Sequence, residues 1–300
     1  MAFQDYIATE IATDAADGIL TRREALRRLA MLGLSAGAAS ALLAACGGDE
    51  ESGSPDPEGP PAETQTTAGS TTTTAEPGNL VTFKGPRGEL TGSFAAADDP
   101  KGAVLLIHEN RGLTPHFEAL PGRLAASGYS ALAVDLLSEE GGTAALADDA
   151  KAQAALSAAP RERLVADARA GIDELERRAP GQKLGVMGFC FGGAMTWSLL
   201  DAPEPRLAAA VPFYGTLPDG ADFAGAKAAV LAVYAELDTR VNATRDAATA
   251  ALSEAGLTHE VRTFTGANHA FFNDTGDRYH QAAAEEAYAA VLAWFAQHLA

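Results

Sequence analysis

The chain predicts an α/β fold: a mostly parallel, doubly wound sheet with helices on both faces and an antiparallel hairpin leading into it. Three observations predict it. From Val104 onward short aliphatic runs alternate with longer helical stretches. Ahead of them Leu80–Phe83 and Leu90–Phe94 read as two strands joined across Gly85-Pro86-Arg87-Gly88. Finally, one apolar run enters a helix through the glycine-flanked turn Gly188–Gly192.

Taken in order, the hairpin is followed by a strand at Val104–Ile107, a helix near Pro115–Ser127 and a strand at Ser130–Val134. Helices near Thr143–Ala158 and Arg161–Arg178 lead to the strand Lys183–Phe189 and the helix Phe191–Leu200. Strands at Leu207–Phe213 and Ala229–Tyr234, a helix Ala243–Ala255, a strand Glu260–Phe264 and a terminal helix Tyr279–His298 complete the series. Such a sheet collects its functional side chains in loops at the carboxyl ends of the strands.

The turn Gly188-Phe189-Cys190-Phe191-Gly192 has the form of a nucleophile elbow with sulfur at its centre. Glycines flank it because neighbouring chains approach too closely for a Cβ, and the central residue is strained. Cys190 is therefore the candidate nucleophile. A thiol is mostly protonated at neutral pH and needs an imidazole to take its proton. His269, in the loop Gly266–Ala270 after a strand, is the candidate base. Asp238, just past the run Ala229–Tyr234, would orient it and stabilise the imidazolium. The chain order nucleophile, acid, histidine is that of α/β-hydrolases. Phe191, the first residue of the helix after Cys190, offers the first backbone N–H for an oxyanion.

With these residues in place the chain resembles the dienelactone hydrolase family, cysteine-dependent members of the α/β-hydrolase superfamily. The likeness runs from about Leu80 to Ala300 and rests on Gly188–Gly193, Asp238, His269 and the segment Ile107-His108-Glu109-Asn110-Arg111-Gly112. It implies that Glu109 assists deprotonation of Cys190, that the N–H of Asn110 is the second oxyanion donor, and that esters or lactones are hydrolysed without cofactor or metal. The family's arginine, expected shortly after the histidine to hold a substrate carboxylate, is replaced by Asn273. Arg111 or Arg278 would have to substitute. Tyr214, Phe271 and Phe272 are expected as pocket walls, with Lys151 or Arg161 facing substrate from a cap. Two alternative functions use the same shell: a noncatalytic envelope-binding protein, or an acyltransferase or thioesterase working through the same three residues.

The 300 residues divide into three parts. Residues 1–45 carry Arg22-Arg23 and Arg27-Arg28 ahead of a mildly apolar stretch ending in Leu43-Ala44-Ala45-Cys46, which reads as a twin-arginine export signal running into a lipoprotein cleavage site. Acylation of Cys46 would then anchor the protein at the outer face of the cytoplasmic membrane or in the cell envelope. Residues 46–79 are Ser, Thr, Pro and acid, a composition too polar to repay ordering, and read as a disordered tether. Residues 80–300 are the folded domain. The net charge of −18 argues against nucleic acid as a partner, which leaves a small ester or lactone, and the membrane through acylated Cys46 only. Cys46 and Cys190 are the only cysteines, and the six histidines show no metal-ligand spacing.

Overall fold

A computed structural model describes residues 3–46, 78–146 and 148–300. Most of the segment expected as a tether lies outside the described residues. The chain begins with α1 (Phe3–Ala16), α2 (Arg22–Met31) and α3 (Ala36–Cys46), then enters the hairpin β1 (Asn79–Lys84) and β2 (Glu89–Ala95). There follow β3 (Ala103–Ile107), α4 (Pro115–Ala126), β4 (Ser130–Val134), α5 (Asp149–Ala158), α6 (Arg161–Arg178), β5 (Leu184–Phe189) and α7 (Phe191–Asp201). The rest is β6 (Leu207–Phe213), β7 (Ala229–Ala235), α8 (Thr239–Asn242), α9 (Arg245–Glu254), β8 (His259–Phe264) and α10 (Gln281–His298).

The eight strands form one sheet in the order β1-β2-β4-β3-β5-β6-β7-β8. The β1–β2 and β2–β4 pairs are antiparallel and the rest parallel. Strands β3, β4, β5 and β7 are buried along their whole length, as continuous aliphatic runs require when both faces are covered. The covering is visible residue by residue. Gly171 of α6 lies so close to Leu105 that a Cβ would stand 2.9 Å from its Cδ1, while Phe295 and Leu299, at the end of α10, press on Gly185, the register partner of Val104. Successive strand residues point to opposite faces, so α6 and α10 lie on opposite sides. On the α10 side α4 joins it, with Tyr288 Oη 2.9 Å from Ser127 Oγ and donating to Arg123 O at 3.0 Å.

One expected helix differs. The stretch 143–158 is divided into a single 3-10 turn at Thr143–Ala145 and α5, because the Asp135 carboxylate captures the Thr143 backbone N–H at 2.7 Å and its hydroxyl at 2.8 Å. The helix expected over 243–255 is α9, and it is preceded by a separate short helix, α8, that was not expected and whose first turn Asp238 caps through Val241 N–H at 3.0 Å.

Residues 3–46, read from sequence as an export signal, pack on the domain. Ile7 and Ile11 are fully buried, each worth about 1.5–3 kcal/mol of transfer free energy. Arg27 reaches Asp148 at 3.0 Å and Arg28 reaches Gln153 Oε1 at 3.2 Å, tying α2 to α5. No helix among the described residues is long and apolar enough to cross a membrane.

Candidate active site

Cys190 joins β5 to α7 with its backbone at φ 55° and ψ −115°. For a side-chain-bearing residue that region costs on the order of 1–3 kcal/mol, and surrounding bonds must hold it. Cys190 N–H donates to Phe213 O at 3.0 Å and its carbonyl accepts from Ala194 N–H at 3.1 Å. The elbow glycines leave no room for substitution: a Cβ on Gly188 would stand 2.0 Å from Gly192 O, and one on Gly192 would stand 2.2 Å from Ile107 O. This second approach draws the elbow against the end of β3, so that Glu109 and Asn110 enter the same cleft as Cys190.

His269 Nδ1–H donates to Asp238 Oδ2 at 2.5 Å, and Asp238 Oδ1 remains on Val241 N–H. The carboxylate thus fixes the ring's tautomer and leaves Nε2 toward the cleft. Cys190 Sγ, a His269 nitrogen and a Glu10 carboxylate oxygen all lie within 4.8 Å of one another. Nε2 stands 3.0 Å from Glu10 Oε1 yet has no hydrogen-bond partner of proper geometry. These three side chains are the group among the described residues able to hold a metal ion, and thiolate, imidazole and carboxylate would suit zinc.

Electrostatics couple the site. Burial pushes the Cys190 thiol pKa up and the Glu10 anion adds to this, against a downward pull from His269. Burial by itself would depress His269, but Glu10, Asp238 and Cys190 together carry it well above the ordinary imidazole value. For Asp238 burial acts upward, and the neighbouring His269 outweighs it, holding the carboxyl below its usual range.

Glu109 is pinned from two sides. Its Oε1 accepts from Tyr214 Oη at 3.4 Å and its Oε2 from Asn273 Nδ2 at 2.9 Å. Asn273, at the position where the resemblance implies an arginine, therefore serves Glu109. The loop bearing Glu109 is held in turn by His108, whose Nδ1–H donates to Glu109 O at 2.7 Å while Nε2 accepts from Leu136 N–H at 3.1 Å. That pattern requires a neutral ring, and burial lowers the pKa of His108 accordingly. Phe191 N–H, in the first turn of α7, has no intrahelical acceptor and is available as a donor.

The cleft holds about 100 Å³ and is lined by Cys190, His269, Glu109 and Asn110, with Arg111 and Arg278 at its sides. Phe271 and Phe272 are not its walls, contrary to expectation. Ala270 takes φ 62° and turns the chain, so that His269 faces the cleft while the two rings enter the core against Phe213. Tyr214 is also fully buried, and its ring lies 5.1 Å from that of His269 without lining the cleft. Arg161 is committed to Ser198 at 3.1 Å and to Asp201 rather than to the cleft.

Sequence reasoning missed the residues that α1 brings. Tyr6 Oη–H donates to Cys190 Sγ at 3.5 Å, Glu10 lies against His269 and pairs with Arg240, and Asp14 pairs with Arg278 at 2.8 Å. A signal was present: Phe3, Tyr6, Ile7, Glu10, Ile11 and Asp14 recur at helical spacing, as one face of a docked helix does.

Residues 90–299 match the model of the dienelactone hydrolase family. A protein of Salmonella typhi, provisionally named a carboxymethylenebutenolidase, is 31% identical over 216 residues, covering 68% of this chain and 80% of that one. Among solved structures, one provisionally described as a dienelactone hydrolase from Klebsiella pneumoniae superposes with a TM-score of 0.65 at 29% identity, over 73% of this chain and 98% of that one. The dienelactone hydrolase from Anabaena variabilis shares the fold, with a TM-score of 0.61 at 19% identity over 74% of this chain and 98% of its own. A mixed eight-stranded sheet, a strained cysteine elbow and a family match over residues 90–299 lead to one conclusion: this chain belongs to the dienelactone hydrolase family.

Proposed function

We propose that this protein hydrolyses a carboxylic ester or lactone through Cys190, His269 and Asp238, by way of an acyl-thioester. The observation that carries the reading is the strained backbone at Cys190, next to an imidazole whose far nitrogen is held by a buried carboxylate. Strain of that kind clusters at functional sites. The Cys190 proton passes to His269 Nε2, and the thiolate attacks the substrate carbonyl. The oxyanion is received by the N–H groups of Phe191 and Asn110, and the carbon–oxygen bond breaks as His269 returns the proton to the leaving alkoxide. Water then attacks the thioester with His269 as base, and the acid departs as the thiol is restored. Glu109 assists the first proton transfer, as the resemblance implies. Names of the relatives point to lactones, but Asn273 binds Glu109 here, so the role of holding a substrate carboxylate falls to Arg111 or Arg278, both at the cleft.

Export by the twin-arginine route and an acyl anchor on Cys46 belong to the same reading, supported by Arg22-Arg23, the apolar stretch and Leu43–Cys46. Hydrolysis of p-nitrophenyl acetate and a panel of small lactones by the parent and by Cys190→Ala tests the mechanism. Turnover is expected in the parent and none above background in the variant. Parent turnover that survives the substitution overturns it.

A further inference from the structure

We propose that α1 is an intramolecular plug that keeps the Cys190–His269 site closed in the full chain, so that the site works only once α1 undocks or is removed. It deepens the hydrolase reading above by naming how that site is regulated, and rests on it for the meaning of the closed state.

Three observations carry it. First, α1 engages both reacting atoms: Tyr6 donates to Cys190 Sγ at 3.5 Å, and Glu10 Oε1 stands 3.0 Å from His269 Nε2, where a thiol proton would have to arrive. Second, the helix is anchored by complementary charge on both sides of the cleft. Glu10 pairs with Arg240, whose guanidinium also lies 4.9 Å over the Tyr6 ring, and Arg278 binds Asp14 at 2.8 Å and Asp17 at 2.7 Å. Apolar contacts complete the seat, with Ile7 and Ile11 fully buried and the rings of Phe3 and Phe191 5.0 Å apart. Third, the remaining space of about 100 Å³ is well below the roughly 300 Å³ at which ordinary ligand sites begin. With α1 in place the space beside the sulfur is too small for an ordinary ester, so turnover in the full chain is limited to the fraction in which α1 is undocked.

The placement also suits release. Arg22 and Arg23 stay exposed at the start of α2 while α1 is docked, and a cut before Cys46, as expected from the sequence, would remove the plug in one step.

The test uses the full chain and Ile7→Asp/Ile11→Asp, which unseats α1 without touching the reacting residues. The first readout is alkylation of Cys190 by iodoacetamide, resolved from Cys46 by peptide mapping; the second is hydrolysis of p-nitrophenyl acetate. A closed state whose open form is about 0.1–10% populated predicts faster alkylation by about ten- to a thousandfold in the variant. Faster alkylation together with faster hydrolysis supports the plug, and so does faster alkylation without hydrolysis, which instead removes the hydrolase reading. Unchanged alkylation in a variant whose thermal transition stays cooperative overturns the plug. Should the double variant not fold, Asp14→Asn/Asp17→Asn keeps Glu10, Tyr6 and the apolar seat and removes the partners of Arg278 that anchor α1; faster alkylation in it supports the plug, and unchanged alkylation overturns it.

Discussion

Replacing Asp238 by asparagine should cost this enzyme about four decades of turnover while leaving its helix cap in place, and the structure gives the reason. Asp238 uses its two oxygens differently: Oδ1 caps α8 through Val241 N–H at 3.0 Å, and Oδ2 accepts from His269 Nδ1–H at 2.5 Å. In Asp238→Asn the amide oxygen stays on Val241, since an N–H cannot accept there, and the NH₂ turns to His269. It must donate, so the ring proton moves to Nε2, the atom needed to take the Cys190 proton. A loss of about 10⁴ corresponds to roughly 5.5 kcal/mol of transition-state stabilisation. An asparagine cap serves a helix about as well as aspartate, so the cap itself changes by only a few tenths of a kcal/mol. The assay is the ratio of p-nitrophenyl acetate turnover in the variant and its parent, both as full chains, so that any obstruction by α1 enters both. A folded variant within tenfold of a parent whose turnover depends on Cys190 would refute the assignment of His269 as base.

Other outcomes follow from the same geometry. Gly192→Ala puts a Cβ 2.2 Å from Ile107 O and should cost about 3 kcal/mol, read by calorimetry as a melting temperature lower by roughly 6–12 °C. His269 is raised in the folded chain, so its contribution to stability is complete below about pH 6.5 and lost as pH rises through the folded value; His269→Asn should flatten that alkaline limb in thermal melts across pH. Asp238 is depressed, so its contribution is complete above about pH 4 and lost as pH falls through its folded value, an acid limb that Asp238→Asn removes. Burial and Glu10 both hold the Cys190 thiol up, and Glu10→Gln removes only the second while His269 and Glu109 stay, so half-maximal alkylation of Cys190 should shift to lower pH.

The inner strands were legible because they are buried on both faces and read as aliphatic runs, as at Leu207–Phe213, and the helix Arg161–Arg178 falls where its period puts it. The elbow was legible because the absence of a Cβ at Gly188 and Gly192 is a local requirement that local sequence must meet. The helix expected over 143–158 was not, since the Asp135 carboxylate that shortens it lies outside the helical run, at the end of the preceding strand. Phe271 and Phe272 misled for a related reason: an aromatic near a motif has no direction in sequence, and Ala270 at φ 62° supplies one.

By itself the sequence determined the alternation of strands and helices, the strained turn that lifts a sulfur, and the acid and histidine that follow in order. Each of these depends on residues adjacent in the chain or repeating at a fixed period. The tertiary structure alone decided that Asn273 and Tyr214 hold Glu109, that Arg240 and Arg278 face carboxylates, and that α1 lies across the thiol. Those contacts join groups from distant parts of the chain, and no local pattern of charge or hydropathy records which acid a buried arginine will meet once the sheet has closed.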